Sequence, residues 1–510
     1  MSPETASKQH ERRWLILAVL CIAQLMVVLD ATVVNIALPS AQKALHFSDG
    51  NRQWMVTAYT LAFGSLLLLG GRLSDLFGRR RTLVTGLVGF ALASAVGGAA
   101  QSFNILIAAR AVQGIFAAIL APAVLSLLTT TFTDSNERGK AFGVFGAISG
   151  AGAAIGLLIG GVLTEYLSWR WSLYVNLVFA AVAVTGVVLL LSKHSVDARP
   201  RLDLRGTLTG SAGLFALVYG FSQAARSGWG ASSTLGFLAA GVALLAVFVA
   251  IERRSEHALL PLWIVTDRNR GGSLLAILTM TIGMFGVFLF LTYYLQQTLL
   301  YSPVKTGLAF LPMIGVLIAS STISSTALLP RFGPRLLVPV GLFLAAIGMV
   351  LFTGLEAHST YAAHVLPGLL VLGVGIGLIS APAMNTATRG VEPGDAGVAS
   401  ATVNTAQQVG GSLGIALLNT VATTATASFV AGKAAAPSLA AAAAVHGYTT
   451  AFWWAAAIFA AGAVACGLLL RPGIPGANPQ SSSPPREMVR GQLREPTPRA
   501  QPEAQPLAGV

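Results

Sequence analysis

Two ionisable residues stand deep inside long apolar stretches: Asp30, in the run from Trp14 to Pro39, and Arg110, in the run 105–131. A charge in hydrocarbon is costly, so such residues face a bundle interior, pair with one another, or handle an ion or substrate. Asp30 lies about 13 Å along a helix from Pro39, and Arg110 about 8 Å into its run, so the two can share one layer. Two chemistries fit. Arg110 can be a fixed charge that pairs with another group to assemble the bundle, or a contact to substrate or to a proton-carrying carboxylate. Glu165, Glu252 and Glu356 stand at the ends of apolar runs, where water is near, which leaves Asp30 as the deep acid. Arg110, Gln113, Gly114, Ala117 and Ala121 share one helix face, which suits the border of a cavity better than lipid. A second such face carries Ser400, Asn404, Gln407, Gln408 and Gly411.

Small residues form stripes elsewhere. Gly152, Gly156 and Gly160 recur at four-residue spacing with Gly161 beside them, as do Gly373, Gly377 and Ala381. Such stripes let helices approach closely in lipid, where no hydrophobic effect joins them. Tight packing and a seam between moving parts are both consistent with them. The short basic loop Asp75-Leu-Phe-Gly78-Arg79-Arg80-Arg81 has an echo 255 residues later in Arg331-Phe-Gly333-Pro-Arg335. Neither a phosphate-binding G-x-x-x-x-G-K-[ST] nor a zinc-binding His-Glu-x-x-His occurs, so the chain reads as no enzyme and no ATPase. Transport driven by an ion gradient, without a cofactor, is the chemistry left.

These residues need a bilayer around them. Of 510 residues 54% are hydrophobic and 10% charged, against about 25% charged in soluble domains. Apolar runs near 14–38, 53–71, 82–101, 105–131, 141–164, 172–192, 206–223, 234–251, 273–297, 306–329, 336–354, 364–388, 397–424 and 451–470 each approach the roughly 20 residues a membrane helix needs. The expected fold is an all-α membrane protein of fourteen transmembrane helices. With the N-terminus inside, 25 of the 32 Lys and Arg fall on the cytoplasmic side and six outside, as the positive-inside rule requires. Both termini are therefore expected in the cytoplasm, with the first helix uncleaved, in the inner (plasma) membrane. The net charge of +13 sits in short clusters between apolar runs, so nucleic acid is not an expected partner. Cys21 and Cys466 lie in apolar spans and read as small hydrophobes, with no metal or disulfide implied. The stretch 425–450 is expected as the longest outer loop, part of it a short surface helix, and 471–510 as a disordered tail rich in Pro, Ser and Gln.

The motifs resemble those of the major facilitator superfamily, in its fourteen-helix drug:proton antiporter branch. Leu29-Asp30-Ala-Thr32-Val-Val-Asn35-Ile-Ala-Leu38-Pro39 is similar to the branch's first-helix signature. Gly71-Arg-Leu-Ser-Asp75-Leu-Phe-Gly78-Arg79-Arg80-Arg81 resembles the superfamily's cytoplasmic loop, and Arg110-Ala-Val-Gln113-Gly114 its membrane arginine motif. Gly152-x-x-x-Gly156-Leu157-x-x-Gly160-Gly161 resembles the antiporter motif, with Leu157 where the motif has proline. Trp169-Arg170-Trp171, Asn176 and Tyr301-Ser-Pro303-Val-Lys-Thr-Gly307 also look like this branch.

The resemblance implies export of small amphipathic toxic compounds in exchange for protons, by two six-helix halves rocking about a central cavity. The corresponding division is an N-terminal tail 1–13, a first half 14–192, two inserted helices within 193–272, a second half 273–470 and the tail. It assigns proton coupling to Asp30 and Arg110 and a cytoplasmic gate to Gly71, Asp75, Gly78, Arg79 and Arg80. The cavity would be lined by Asn35, Gln113, Met280, Met284, Tyr293, Asn404 and Gln408. Its partners would be an amphipathic small molecule, protons and lipid, with the chain a monomer. An uptake symporter of the same fold, or an exporter of an endogenous metabolite, is the alternative.

Overall fold

A chain this apolar must satisfy its backbone within each segment, and helices do so without outside partners. The computed structural model describes residues 3–48, 50–132, 135–191, 203–255, 262–388, 396–431, 433 and 437–471, and they contain helices and no strand. In order these are α1 (Pro3–Leu45), α2 (Trp54–Phe77), α3 (Arg79–Gly98), α4 (Phe103–Thr131), α5 (Ser135–Tyr166), α6 (Trp171–Leu190), α7 (Leu204–Ser227) and α8 (Ser232–Glu252). The short α9 (Leu262–Thr266) precedes α10 (Arg268–Tyr293), α11 (Pro303–Ile323), α12 (Leu329–Phe352), α13 (Leu366–Thr388), α14 (Ala396–Val430) and α15 (Pro437–Leu469). Among the described residues ten stretches are long and apolar enough to cross a bilayer, and one of them, Pro303–Phe352, takes in both α11 and α12.

Local chemistry sets the helix starts. Ser102, Asp203, Asp267 and Ser302 each accept a backbone N–H of the first turn of α4, α7, α10 and α11, satisfying donors a helix leaves open. Pro303 follows Ser302 in the first turn, where a missing N–H costs nothing. Gly78, with φ 87°, turns α2 into α3, and Gly333, with φ 69°, makes the corner at the start of α12. These are the two glycines of the 255-residue echo, and both take a backbone geometry other residues rarely adopt.

The echo extends to packing. In the first six helices α2 packs on α4, α3 on α4 and α6, and α1 on α5 and α6. In the last six, α11 packs on α13, α12 on α13 and α15, and α10 on α14 and α15, the same scheme nine helices later. The two groups meet where α2 packs on α14 and α5 on α11, again an exchange-symmetric pair. Helices α7 and α8 pack on each other, and α7 lies against both α2 and α14.

Several boundaries differ from the sequence reading. The segment 425–450 is mostly helix, because α14 runs to Val430 and α15 begins at Pro437; the Ala-rich composition extends both helices instead of forming a loop. The tail 1–13 is likewise helical from Pro3, as the front of α1. Residues 472–510, expected as a disordered tail, lie outside the described residues, as do 192–202 and 256–261.

Candidate functional site: a buried ion pair and a sealed end

Asp30 on α1 and Arg110 on α4 meet. Arg110 Nη1 donates to Asp30 Oδ2 at 2.6 Å, with the two side chains 1% and 0% exposed. The same Nη1 donates to Gln113 Oε1 at 2.8 Å, and Nε donates to the Met55 carbonyl of α2 at 3.0 Å. The guanidinium lies 4.5 Å from the centre of the Tyr59 ring, within cation–π range. On the carboxylate side, Asn176 Nδ2 of α6 donates to Asp30 Oδ1 at 2.7 Å and Gln113 Nε2 to the same oxygen at 3.2 Å. Both amides also donate to the Ser94 hydroxyl of α3. Residues of five helices thus build one network around the pair. A desolvated ion pair survives only with good geometry and further hydrogen bonds, and here the amides, hydroxyl and carbonyl supply them. Two buried polar atoms at the site, the Tyr59 hydroxyl and Asn176 Oδ1, have no hydrogen-bond partner. They mark where the network can accept a water, or rearrange, at little cost in lost bonds.

The two residues therefore share one layer and contact each other, an arrangement that fits both a structural pair and a contact to a proton-carrying carboxylate. The face of α4 expected to border a cavity does not do so here. Gly114 lies directly on the α2 backbone, where a Cβ would meet the Tyr59 carbonyl oxygen, and Gln113 is 0% exposed inside the ion-pair network. Sequence depth finds Asp30 and Arg110; Tyr59 and Ser94, unexceptional polar residues in apolar runs, carry no signal of their own. Asn176 shows only through its resemblance.

The four glycines of the α5 motif are close-approach positions. Gly152, Gly156 and Gly160 lie against Leu25 and Val28, Leu29 and Thr32, and Val33 of α1, while Gly161 abuts Pro303 and Val304 of α11. The stripe therefore seats α5 on the helix that carries Asp30. In the basic loop Gly71 lies near Pro122 of α4, and Arg80 Nη2 donates to the Val188 carbonyl of α6 at 3.1 Å, a bond within the first group. Gly78 makes the turn, Arg79 is half-buried, and the Asp75 side chain lies outside the described residues.

The expected cavity residues have the following partners and burial. Asn35 donates to the Ala31 carbonyl of its own helix at 2.8 Å. Met280 is buried and Met284 half-buried on α10, Asn404 and Gln408 are half-buried on α14, and Gln408 lies against Gly64 of α2. Tyr293 belongs instead to a seal between the two groups. Its hydroxyl donates to Gln42, Gln296 Nε2 donates to the Ile36 carbonyl at 3.1 Å, and Ser412 donates to Thr60 at 2.6 Å. Glu165 accepts the Val304 N–H at 2.9 Å, and Arg52 Nε donates to Asn419 at 3.2 Å. Most of these ties lie toward the Pro39 end of α1, away from the basic loop at Gly78. Among the described residues no cluster of three or more His, Cys, Asp or Glu could hold a metal ion.

Comparison with known proteins places this architecture. Residues 20–415 match the sequence model of the Major Facilitator Superfamily. The chain belongs to that superfamily. It is a family of transporters, and the chain is a multi-pass membrane protein. It is 54% identical over 462 residues to the puromycin resistance protein of Streptomyces alboniger, covering 90% of this chain and 92% of that one. A cephamycin export protein of Amycolatopsis lactamdurans is 38% identical over 408 residues, covering 79% and 84%. A tetracenomycin C resistance and export protein of Streptomyces glaucescens is 34% identical over 414 residues, covering 81% and 76%. Among solved structures, an auto-inhibited peptide transporter of the POT family has a TM-score of 0.64 at 15% identity, covering 90% of this chain and 96% of its own. A bacterial homologue of the lysosomal transporter Spinster, inward-facing and unoccupied, has a TM-score of 0.61 at 16% identity, covering 90% and 97%. At those identities the structures share a fold with this chain, and the shared fold is the major facilitator one.

Proposed function

We propose that the chain exports small amphipathic antibiotics in exchange for protons, by alternating access of two six-helix halves. The observation that carries this reading is the buried Asp30–Arg110 pair. A proton on Asp30 would remove the charge Arg110 faces and release the tie between α1 and α4. Protonation from one side and substrate arrival from the other then compete for one charge state, which is what couples the two flows. Kinship with resistance and export proteins supports antibiotics as the substrate class.

In this reading α1–α6 and α10–α15 are the moving halves, fourteen helices cross the plasma membrane, and both termini are cytoplasmic. The repeated packing scheme and the placement of Lys and Arg support it. The seal at the Pro39 end then closes the outside, and the basic loop at Gly78 belongs to the cytoplasmic gate together with Asp75.

The test is resistance and flux in a host lacking its own pumps. Expression should raise tolerance to puromycin, and energised inverted vesicles should take puromycin up until a protonophore collapses the gradient. Accumulation in intact cells, or uptake insensitive to the protonophore, would overturn the reading.

A further inference from the structure

In the seal, Arg52 of the α1–α2 link is 3% exposed and inserts among rings of the other group. Its guanidinium carbon lies 4.4 Å from the centre of the Tyr293 ring, 5.7 Å from Phe290 and 5.8 Å from Tyr448. The electron-rich face of a ring attracts a cation within about 6 Å, and more strongly where water is excluded. Asn419 closes the cage, its Oδ1 accepting from Arg52 while its buried Nδ2 has no hydrogen-bond partner.

The cage walls belong to α10, α14 and α15, and Arg52 comes from the first six helices. The walls also hold one another, since Phe290 packs on Tyr448 at 5.8 Å between centroids and edge-on against Phe452 at 6.3 Å. A cage built within one half keeps its shape when the halves separate, and it then loses the Arg52 guanidinium that fills it.

We propose that Phe290, Tyr293, Tyr448 and Asn419 form a binding site for small organic cations, of guanidinium or quaternary ammonium type, that Arg52 occupies whenever the outer end is closed. The inference deepens the export reading and rests on it for direction: the open site receives the cationic end of a departing molecule, and the returning Arg52 displaces it. Arg52 thereby serves as both latch and built-in competitor. The orphan Nδ2 of Asn419 supplies a donor for an acceptor atom beside that cationic end.

The test needs no transport. Purified full-length protein in micelles is titrated with guanidinium and tetramethylammonium chlorides, with potassium chloride as control, by calorimetry and tyrosine fluorescence. Arg52→Ala empties the cage and should bind guanidinium roughly tenfold or more tightly than the wild type, a difference that Arg52→Ala combined with Tyr293→Leu abolishes. A folded Arg52→Ala that binds no better than the wild type, or equally well without the Tyr293 ring, would overturn the proposal. Should Arg52→Ala be recovered poorly, guanidinium but not potassium in the growth and extraction buffers should restore its folded yield; no difference between the salts would count equally against the cage. Binding with no export in vesicles would sink the export reading and leave the site standing.

Discussion

Asp30 and Arg110 show how one residue type can be readable in sequence while its role waits on its neighbours. Their depth in apolar runs singles them out, and the 2.6 Å ion pair shows that each is the other's partner. Removing one partner of a buried pair costs about 3–5 kcal/mol because the other charge is left stranded. Arg110→Ala should therefore lower the thermal unfolding midpoint markedly; Asp30→Asn keeps the side chain's shape but strands the Arg110 charge and leaves one accepting oxygen where the carboxylate has two, so it should lower the midpoint as well. Asp30→Asn should fold, still bind substrate, and lose proton-driven efflux; full coupling in that variant, read as proton release in proteoliposomes, would show that the proton travels elsewhere. Ser94→Ala offers a finer check, since it strips a shared acceptor from Gln113 and Asn176 and should cost about 1–3 kcal/mol, visible as a lowered unfolding midpoint. Ser94 and Tyr59 were illegible in sequence for a physical reason. A serine hydroxyl is cheap to bury in a helix, because it can bond its own backbone, and a tyrosine brings a large apolar ring to an apolar run, so neither signals anything until the partner helix is known.

Among the elements, hydrophobic length located the helices well and their ends poorly. Apolar runs report the part of a helix inside hydrocarbon, whereas α5, α14 and α15 continue beyond it on helix-forming but less apolar residues. The glycine stripe of α5 was legible as close packing, and the structure adds its target, α1 at Leu25 to Val33. Gly156→Val should push α5 from the Asp30 helix at Thr32 and Leu29, and transport should fall by an order of magnitude or more with protein still in the membrane; normal flux in vesicles would show that the seam is slack. The basic loop is a different kind of element. Gly78 is held at φ 87°, so Gly78→Ala should cost about 1–3 kcal/mol, whereas Asp75→Asn leaves the turn alone and should lower turnover more than substrate affinity. An unchanged transport rate in Asp75→Asn would assign that loop to topology rather than gating.

For the whole molecule, duplicated packing has consequences for orientation and for charge. Since α1–α6 and α10–α15 repeat one scheme, both halves present their basic turns, at Gly78 and Gly333, on one side. A reagent that cannot cross the membrane should label Lys433→Cys from outside and miss Gly78→Cys, with little background because Cys21 and Cys466 are buried; the reverse pattern would invert the orientation. The duplication breaks at the charges, however. The first half holds the Asp30–Arg110 pair, whereas α10–α15 carry no acid deep in a span and offer Met280, Met284, Asn404 and Gln408 at intermediate or full burial. A substrate with one positive charge can be matched by Asp30 once its proton has left. A substrate with two separated charges needs a second buried countercharge, which α10–α15 lack, and the uncharged aromatic cage is filled by Arg52 while the outer end is closed; a desolvated charge without a partner is costly. Neutral and singly charged amphipathic compounds should therefore be exported in preference to dications, with protons as the coupling ion. Mono- and dicationic dyes of similar size, compared for proton release in proteoliposomes, decide the matter: the monocation should drive release and the dication should not, while equal release by both would mean that a second countercharge enters the pathway from outside these helices.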